Sequence, residues 1–323
     1  MSEIDVLIPT LRRPENLTRA LRSVFAQDRA AELMARIVVV DNSPEACAAA
    51  VVEALRPACP VALTYVHEGR PGVATARNAG LAASTSPLVA FLDDDEEAPP
   101  SWLGDLRRAH LALGSAVTFG PVRGVAADAH PDLRPYLEHF FSREGGSTDV
   151  LITDPFGCGN AMMTRAEALR GPGPFDTRAD LTGGEDDRLF ARLRREGLRF
   201  GWAADAWVYE YAPPHRARVG YALKRAFCYG QSPSQIRVRN RAWAALVLTM
   251  AIGSAQAVVY GSAAAALIVA NRRSEAVVFA DRAIRGLGKV LWPLKVRLYG
   301  LAASPTAASA KGSPGVAPPL LQT

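Results

Sequence analysis

Five consecutive carboxylates, Asp93 to Glu97, follow the apolar segment LVAFL. Because side chains alternate along an extended chain, Asp93 and Asp95 share one side, and two such carboxylates suit the octahedral oxygen coordination of Mg²⁺ or Mn²⁺. The phosphate oxygens of a nucleoside diphosphate would complete that shell. A solvated acidic turn is the alternative, but the position after a buried strand favours a cofactor-binding site that includes Asp94.

A second acidic group, GGEDD at residues 183–187, opens a helical pattern whose apolar face contains Leu189 and Leu193. One carboxylate at a helix N-terminus is explained by capping and by the helix dipole. Three in a row exceed what capping requires. A carboxylate near a metal-bound electrophile can accept a proton from an attacking hydroxyl, which makes Glu185 and Asp186 candidates for catalysis.

Basic residues in two segments are candidates for binding a diphosphate. Arg77 lies in the segment RPGVATARNAG, and the alternative to a role in binding is that it is an ordinary surface charge. The alternative for His215 is a structural role, which is common for a lone histidine. The second segment, PPHRARVGYALKRAFCYGQS, has cations able to neutralise a leaving diphosphate. They are His215, Arg216, Lys224 and Arg225.

Short runs rich in Val and Ile alternate with helical patterns in the first hundred residues. Each run is too short for an isolated helix and is followed by turn residues, so we interpret the runs as buried parallel strands. The alternation predicts an α/β fold with a doubly wound, mostly parallel, Rossmann-like sheet. The predicted strands are residues 4–8, 36–40, 61–66 and 88–92.

Ligands of such sheets bind at the carboxyl ends of the strands. Pro9 and Thr10 end the first predicted strand, Asp41 ends the second, and the acidic cluster ends the fourth. We therefore expect these residues to converge on one edge. The dinucleotide fingerprint G-x-G-x-x-G does not follow the first strand and the P-loop motif is absent, which argues against an NAD site and a P-loop nucleotide site.

Six segments occur in this order along residues 4–235: VLIPTLRRPENL, VVVDNS, GVATARNAG, FLDDDEEAPPSWL, GCGNAMMTR and FDTRADLTGGEDDRLFARLRREG. The series resembles family 2 glycosyltransferases, which have the GT-A fold. The resemblance implies inverting transfer of a sugar from a nucleotide-sugar donor, usually with Mg²⁺ or Mn²⁺. It also implies that Thr10 and Asp41 bind the nucleotide, and that Asp93 and Asp95 form the D-x-D element with Asp95 closest to the metal.

The same resemblance makes Asp186 the base and Glu185 the residue that orients the acceptor. Inversion in one displacement needs a base on one face of the anomeric carbon and a stabilised leaving group on the other. Asp186 and a metal ion bound by Asp95 would supply these two functions. Arg216 or Arg225 is an additional clamp on the diphosphate.

The segment AWVYEYAPPHRARVGYALKRAFCYGQS resembles the ExoM-like glucosyltransferases of bacterial exopolysaccharide assembly. Other family members carry a metal-binding histidine in this region, so His215 is a third candidate metal ligand. The subgroup pattern is matched by Glu210, Arg216, Arg225, Gly230 and Ser232.

The two halves of the chain differ in charge. Residues 1–187 carry 17 Lys and Arg against 27 Asp and Glu, net −10, whereas residues 188–323 carry 20 against 5, net +15, which together give the overall +5. The basic half is expected to meet a negatively charged partner. We favour anionic lipid over nucleic acid, because no nucleic-acid-binding motif is recognisable.

Residues 242–270 carry no formal charge and exceed the ~20 residues needed to cross a bilayer. Basic clusters flank both ends, so in-plane or re-entrant association fits the positive-inside rule better than a single crossing. We predict a catalytic domain at 1–235, a helical membrane-associated extension at 236–300 and a disordered tail at 301–323.

The predicted function is a metal-dependent hexosyltransferase of exopolysaccharide or cell-envelope polysaccharide synthesis. The donor is expected to be a UDP-hexose such as UDP-glucose, and the acceptor a lipid-linked saccharide or glycan. Four scattered cysteines and the lack of a secretory signal indicate the cytoplasmic face of the cell membrane. A sugar nucleotidyltransferase and a non-enzymatic membrane scaffold are the alternatives.

Overall fold

The computed structural model describes residues 3–181, 183–294 and 296. Within them, eight strands form one sheet in the order β3-β2-β1-β4-β9-β6-β10-β8, and three form a smaller sheet in the order β5-β11-β7. The strands are β1 (Ile4–Thr10), β2 (Met34–Asp41), β3 (Ala62–His67), β4 (Leu88–Phe91), β5 (Glu96–Glu97), β6 (Val117–Phe119), β7 (Val122–Val125), β8 (Val150–Ile152), β9 (Ala161–Thr164), β10 (Phe200–Trp202) and β11 (Val208–Tyr211).

Helices cover both faces of the large sheet, as its apolar strands require. Val6 and Ile8 face a core shared with helices α1 (Pro14–Phe25) and α5 (Trp102–Leu113). Leu7, between them, faces a core shared with helices α4 (Val73–Ala82) and α8 (Glu185–Arg195). The helices are α1 (Pro14–Phe25), α2 (Ala30–Leu33), α3 (Ala49–Leu55), α4 (Val73–Ala82), α5 (Trp102–Leu113), α6 (Arg134–Phe141), α7 (Arg165–Ala168), α8 (Glu185–Arg195), α9 (Val219–Arg239), α10 (Trp243–Val269) and α11 (Arg273–Val290).

The strand directions match the predicted α/β class. β3, β2, β1 and β4 are parallel, and Thr10 lies opposite Asp41 in the β1–β2 register. β9 runs antiparallel between β4 and β6, a reversal that the sequence pattern did not reveal. The four-strand parallel unit nevertheless brings the carboxyl ends of β1, β2 and β4 to one edge.

The smaller sheet closes this edge from the side. β11 pairs antiparallel with β5, and Glu210 lies opposite Glu96 in that register. A residue more than a hundred positions after the acidic cluster is thereby placed beside it.

Three long helices follow the sheets. α9 is continuous across residue 235, where we placed a domain boundary, and the 27 residues of α10 form one unbroken helix rather than a re-entrant turn. α11 packs against both α9 and α10. The predicted disordered tail, 301–323, lies outside the described residues.

Candidate active site

The acidic cluster after β4 is anchored to the end of β1. Thr10 Oγ1 donates a hydrogen bond to Asp94 Oδ2 at 2.8 Å, and Arg13 Nη1 donates to Asp94 Oδ1 and to Asp95 Oδ2, each at 2.8 Å. Both carboxylate oxygens of Asp94 therefore have protein donors. Asp94 holds the loop in place, while Asp95 has one oxygen without a hydrogen bond to Arg13.

The pKa values in this cluster reflect burial in competition with charge. Burial and the neighbouring Asp95 raise the pKa of Asp94. Burial disfavours the Arg13 cation, but Asp94 and Asp95 outweigh that effect and raise its pKa. Arg13 thus stays charged and neutralises part of the cluster.

Arg77 of α4 joins the two acidic groups that the sequence singled out. Its Nη1 donates to Glu185 Oε1 at 2.8 Å and to Asp186 Oδ1 at 2.6 Å, and its Nη2 lies 3.6 Å from Asp93 Oδ1. The Arg77 side chain is only 4% exposed. The guanidinium is therefore an internal bridge between the end of β4 and the start of α8, and not a surface charge.

The first turn of α4 is held by Asp180, a residue that the sequence analysis did not assign. Asp180 Oδ1 accepts from the Ala74 N–H at 2.8 Å, and its Oδ2 accepts from Thr75 Oγ1 at 2.6 Å. A Cβ on Gly72 would lie 2.2 Å from the Asp180 carboxyl carbon, so glycine is required for this approach. Asp180 fixes the helix that presents Arg77.

Asp186 lies in the first turn of α8 and is 20% exposed. Its Oδ2 accepts from the Cys158 N–H at 2.9 Å, while its Oδ1 is bound to Arg77. Because a carboxylate has about four lone-pair sites, these two donors orient Asp186 and leave it able to accept a further proton donor.

The loop before β9 approaches Asp93 closely. A Cβ on Gly159 would lie 2.7 Å from Asp93 Oδ2, so a larger residue there would displace the Asp93 carboxylate. Arg143 holds this loop by donating to the Gly157 carbonyl at 3.0 Å and to the Gly159 carbonyl at 2.6 Å. Sequence reasoning missed Arg143, which lies in a stretch without periodicity or motif.

Glu210 of β11 lies beside the acidic cluster Asp93 to Glu97, opposite Glu96. Burial and the charge of Asp95 raise the pKa of Glu210 to about 8, against the opposing charge of Arg225. Arg225 donates from Nε to the Tyr229 hydroxyl at 2.6 Å and lies over the Phe140 ring. The charge of Arg225, on α9, therefore partly opposes the rise in the pKa of Glu210.

Asp41 lies at the predicted edge but is fully buried. Its Oδ1 accepts from the N–H and Oγ of Ser43, and its Oδ2 accepts from the Ala48 N–H and the Tyr65 hydroxyl. Burial alone would raise the pKa of Asp41. The hydrogen bonds from these donors outweigh burial, so the pKa is lowered overall. Asp41 thus shapes the end of β2, and a nucleotide would have to share its oxygens with these donors.

His215 and Arg216 lie between β11 and α9. His215 is exposed, and its pKa is lowered by desolvation and by the neighbouring Arg216 and Arg13. The Arg216 guanidinium lies 6.0 Å from the centre of the Tyr221 ring. No hydrogen bond joins His215 to the acidic cluster among the described residues.

The described residues contain no group of three His, Cys, Asp or Glu side chains arranged to hold a metal ion. Mg²⁺ is commonly bound by one or two carboxylates together with substrate phosphates, so a third protein ligand is not required. Asp93, whose side chain is 38% exposed, and Asp95 are hard oxygen donors suited to such an ion. The donor set fits Mg²⁺ or Mn²⁺ that arrives with a diphosphate.

Comparison with known proteins places this geometry in a family. The profile of glycosyl transferase family 2 matches residues 5–171. The chain belongs to glycosyltransferase family 2. This family 2 glycosyltransferase is 33% identical over 240 residues to the succinoglycan biosynthesis protein ExoM of Rhizobium meliloti. The aligned region covers 72% of this chain and 74% of that protein.

Other relatives are larger proteins. The validoxylamine A glucosyltransferase of Streptomyces hygroscopicus subsp. jinggangensis is 30% identical over 66% of this chain, and the pre-mycofactocin glycosyltransferase of Mycobacterium tuberculosis is 27% identical over 74%. The match spans only 56% and 48% of those two proteins, respectively.

Solved structures give the same fold. Residues 1–349 of S. aureus TarS superpose with a TM-score of 0.51 at 18% identity, over 69% of this chain and 64% of that chain. The same protein in complex with UDP-GlcNAc superposes with a TM-score of 0.51 at 21% identity, over 66% and 59%. These likenesses identify the GT-A-like fold, as the sequence motifs predicted.

The structure of this family 2 glycosyltransferase brings most of the predicted site residues to one edge of the sheet. Thr10 and Asp94 are in direct contact, and Arg77 connects Asp93 to Asp186. Arg13 is the main omission of sequence reasoning. Its position three residues after β1, facing the acidic cluster, was the available signal.

Proposed function

We propose that this chain is a metal-dependent, inverting glycosyltransferase that moves a sugar from a nucleoside diphosphate donor to a hydroxyl of a lipid-linked saccharide or glycan. The observation that carries the proposal is the Arg77 bridge, which holds Asp93, a proposed metal ligand, and Asp186, the candidate base, in one unit. Inverting transfer needs both groups at a fixed separation on opposite sides of the anomeric carbon.

In the proposed reaction, Asp186 accepts the proton of the acceptor hydroxyl while that oxygen forms a bond to the anomeric carbon. The bond from the anomeric carbon to the diphosphate oxygen breaks, and the nucleoside diphosphate leaves with the electron pair. Glu185, on the same Arg77 nitrogen, orients the acceptor. Mg²⁺ or Mn²⁺ held by Asp93 and Asp95 would neutralise charge on the diphosphate. His215, predicted as a further metal ligand, forms no three-ligand group with them among the described residues and is left out of this set.

Other residues are assigned to the donor. Pro9, Thr10 and Asp41 form the nucleotide side of the site at the ends of β1 and β2, and Asp94 fixes the loop between them and the metal ligands. The cations Arg216 and Arg225 clamp the leaving diphosphate from the α9 side.

The donor and the pathway are proposed from relatives. The TarS complex contains UDP-GlcNAc and another relative is named a glucosyltransferase, which supports a UDP-hexose such as UDP-glucose. The succinoglycan relative supports a role in exopolysaccharide or cell-envelope polysaccharide synthesis. Helix α10 is long and apolar enough to cross or enter a bilayer by length and composition, which supports work on a lipid-linked acceptor at the cytoplasmic face of the cell membrane.

A panel of nucleotide sugars tests the proposal. Full-length protein is incubated with each radiolabelled donor, Mn²⁺ and a bacterial membrane lipid extract, with Asp186→Asn as the matched inactive control. We expect one UDP-hexose to label the lipid fraction with wild type only. Formation of a nucleotide sugar from a sugar phosphate and a nucleoside triphosphate would indicate a nucleotidyltransferase instead, and failure of every donor would indicate a non-enzymatic scaffold.

A further inference from the structure

The outer face of α10 is a wide apolar surface. No charged residue lies between Trp243 and Val269, and only 11% of the most apolar 18-residue stretch is buried. Val247, Val258 and Val269 follow one another at intervals of eleven residues, so they lie on one side of the helix, and they are 68%, 68% and 89% exposed. The large exposed side chains are Trp243, Val247, Leu248, Ile252, Val258, Val259, Ile268 and Val269.

The inner face of α10 is joined to α11 along its middle. Gly253 and Gly286 are so close that a Cβ on either would lie within 2.7 Å of the other's carbonyl oxygen. Lys289 Nζ donates to Gln256 Oε1 at 2.5 Å. This spacing fixes the middle of α10 against α11.

The opposite side of α11 is joined to the catalytic region. The Tyr136 hydroxyl of α6 donates to Asp281 Oδ1 at 3.1 Å, and Ser234 Oγ of α9 donates to the Lys289 carbonyl at 2.7 Å. A Cβ on Gly288 would lie 2.2 Å from the Phe227 carbonyl oxygen, so the α9 and α11 backbones are in direct contact. α11 therefore lies between the middle of α10 and the catalytic region, and α10 also contacts α9 directly.

This layering is incompatible with α10 crossing a bilayer. Packed helix axes are about 8–10 Å apart, so the middle of α10 lies only about 20 Å from the α9 axis. If that middle stood at the bilayer centre, α11 with Asp281, Arg282 and Arg285 would enter hydrocarbon, and the polar residues of α6 and α9 would follow. Charged side chains at that depth are strongly disfavoured.

Arginines stand at both ends of α10. Their distribution fits headgroups along one plane, because a crossing helix would place one cluster on each side of the membrane. The exposed arginines are Arg237, Arg239 and Arg241 before the helix and Arg272 and Arg273 after it.

From these contacts we infer that α10 lies in the plane of an anionic membrane surface, with its outer face among the acyl chains just below the headgroups and the arginines at its ends on the lipid phosphates. This inference rests on the membrane association proposed above, but not on the proposed sugar transfer. It makes the protein monotopic and holds the sheet edge at a constant height above the surface through α11 and α9.

Depth measurements on the full-length chain test the orientation. A spin-labelled cysteine is placed at position 247, 258 or 269 in a background with Cys47, Cys59 and Cys228 changed to Ser, and the protein is bound to vesicles of phosphatidylcholine with phosphatidylglycerol. An in-plane helix puts all three labels at one depth, about 5–10 Å into the acyl boundary. A crossing helix separates positions 247 and 269 by about 33 Å along the normal, which would overturn the inference.

Binding measurements separate orientation from attachment. We expect Leu248→Glu to weaken binding to anionic vesicles at least tenfold. Leu111→Glu, the matched change at an exposed leucine of α5, should leave binding unchanged. Equal affinity for purely phosphatidylcholine vesicles would contradict the role of the arginines. Failure to bind any vesicle, or burial of α10 in a dimer, would overturn membrane docking. Neither result decides the sugar-transfer proposal, which the panel of nucleotide sugars tests separately.

Discussion

Arg77 Nη1 lies 2.6 Å from Asp186 Oδ1, joining residues 109 positions apart in the chain. The same nitrogen binds Glu185, and the other terminal nitrogen faces Asp93. A single buried cation therefore sets the spacing between the carboxylates after β4 and those that open α8. The catalytic proposal depends on this spacing, because neither acidic group alone supplies both a base and a site for the leaving group.

Asp186→Asn is expected to abolish sugar transfer while donor binding stays within about twofold. The amide keeps the size of the side chain but does not act as a base, and loss of a general base costs about 10²–10⁴ in rate. Single-turnover rates and calorimetric titration with the donor separate the two quantities. Asp187→Asn, an exposed neighbour on the same turn, is the matched control. Near-normal turnover of the Asp186 variant would show that another group is the base.

Arg77→Met is expected to lower the free energy of unfolding by about 3–5 kcal/mol, because it leaves Glu185 and Asp186 without their buried partner. Urea denaturation measures the loss. Arg178→Met is the control, since Arg178 is 85% exposed in its pair with Asp176 and solvent screens that pair, so we expect a much smaller loss. Similar losses in both variants would contradict the bridging role of Arg77.

Removal of divalent metal with EDTA is expected to stop transfer, and added Mn²⁺ or Mg²⁺ to restore it. Asp95→Asn should raise the metal concentration for half-maximal activity at least tenfold.

Asp94→Asn should instead lower the free energy of unfolding by about 1–3 kcal/mol, because the side chain of Asn has one oxygen and cannot accept hydrogen bonds on both sides from Thr10 and Arg13. Activity that survives complete chelation would refute metal dependence, and a shift in metal affinity in the Asp94 variant alone would reverse the two assignments.

Glu210 predicts a pH dependence of stability. Its pKa is raised from 4.5 to about 8, so the folded protein holds a proton that the unfolded chain has released. The stabilising contribution is complete below pH 4.5 and is lost as the pH rises through 8. Relative to Glu210→Gln, wild type should therefore lose about 3 kcal/mol between pH 6 and pH 9, since the loss is about 1.4 kcal/mol per pH unit up to the folded-state pKa.

Chemical denaturation at several pH values measures this difference. Glu45→Gln is the control, because Glu45 is exposed and its pKa is lowered by Arg12, outside this pH range. A flat difference between wild type and Glu210→Gln from pH 6 to pH 9 would mean that Glu210 is ionised throughout.

Gly288→Ala is expected to lower the free energy of unfolding by about 1–3 kcal/mol, since its Cβ would collide with the Phe227 carbonyl on α9. Gly261→Ala on α10 meets no atom within 4 Å and should stabilise its helix by up to about 1 kcal/mol. Limited proteolysis and thermal unfolding compare the two. Equal behaviour would show that α11 is not held against α9 as described.

Local sequence patterns were enough to predict the α/β class, the four parallel strands and the two acidic groups. Each of these depends on neighbours in the chain: apolar runs such as residues 36–40 indicate buried strands, and consecutive carboxylates after a strand indicate a site at its end. The order of motifs added the family. The antiparallel β9 was not predictable in this way, because strand direction depends on the path of the chain and not on its hydrophobic period.

Burial and pairing across long separations came from the three-dimensional structure. A single arginine on a helix has the same local pattern whether it is exposed or, like Arg77, enclosed by carboxylates from two other segments. Arg13 and Arg143 gained their roles only when β1, β4 and the loop before β9 came together. The 27 uncharged residues of α10 indicated a membrane, but their orientation depends on the contacts of α11 with helices on both of its sides. Sequence patterns encode what each segment needs to bury, and the packing of distant segments determines which groups meet.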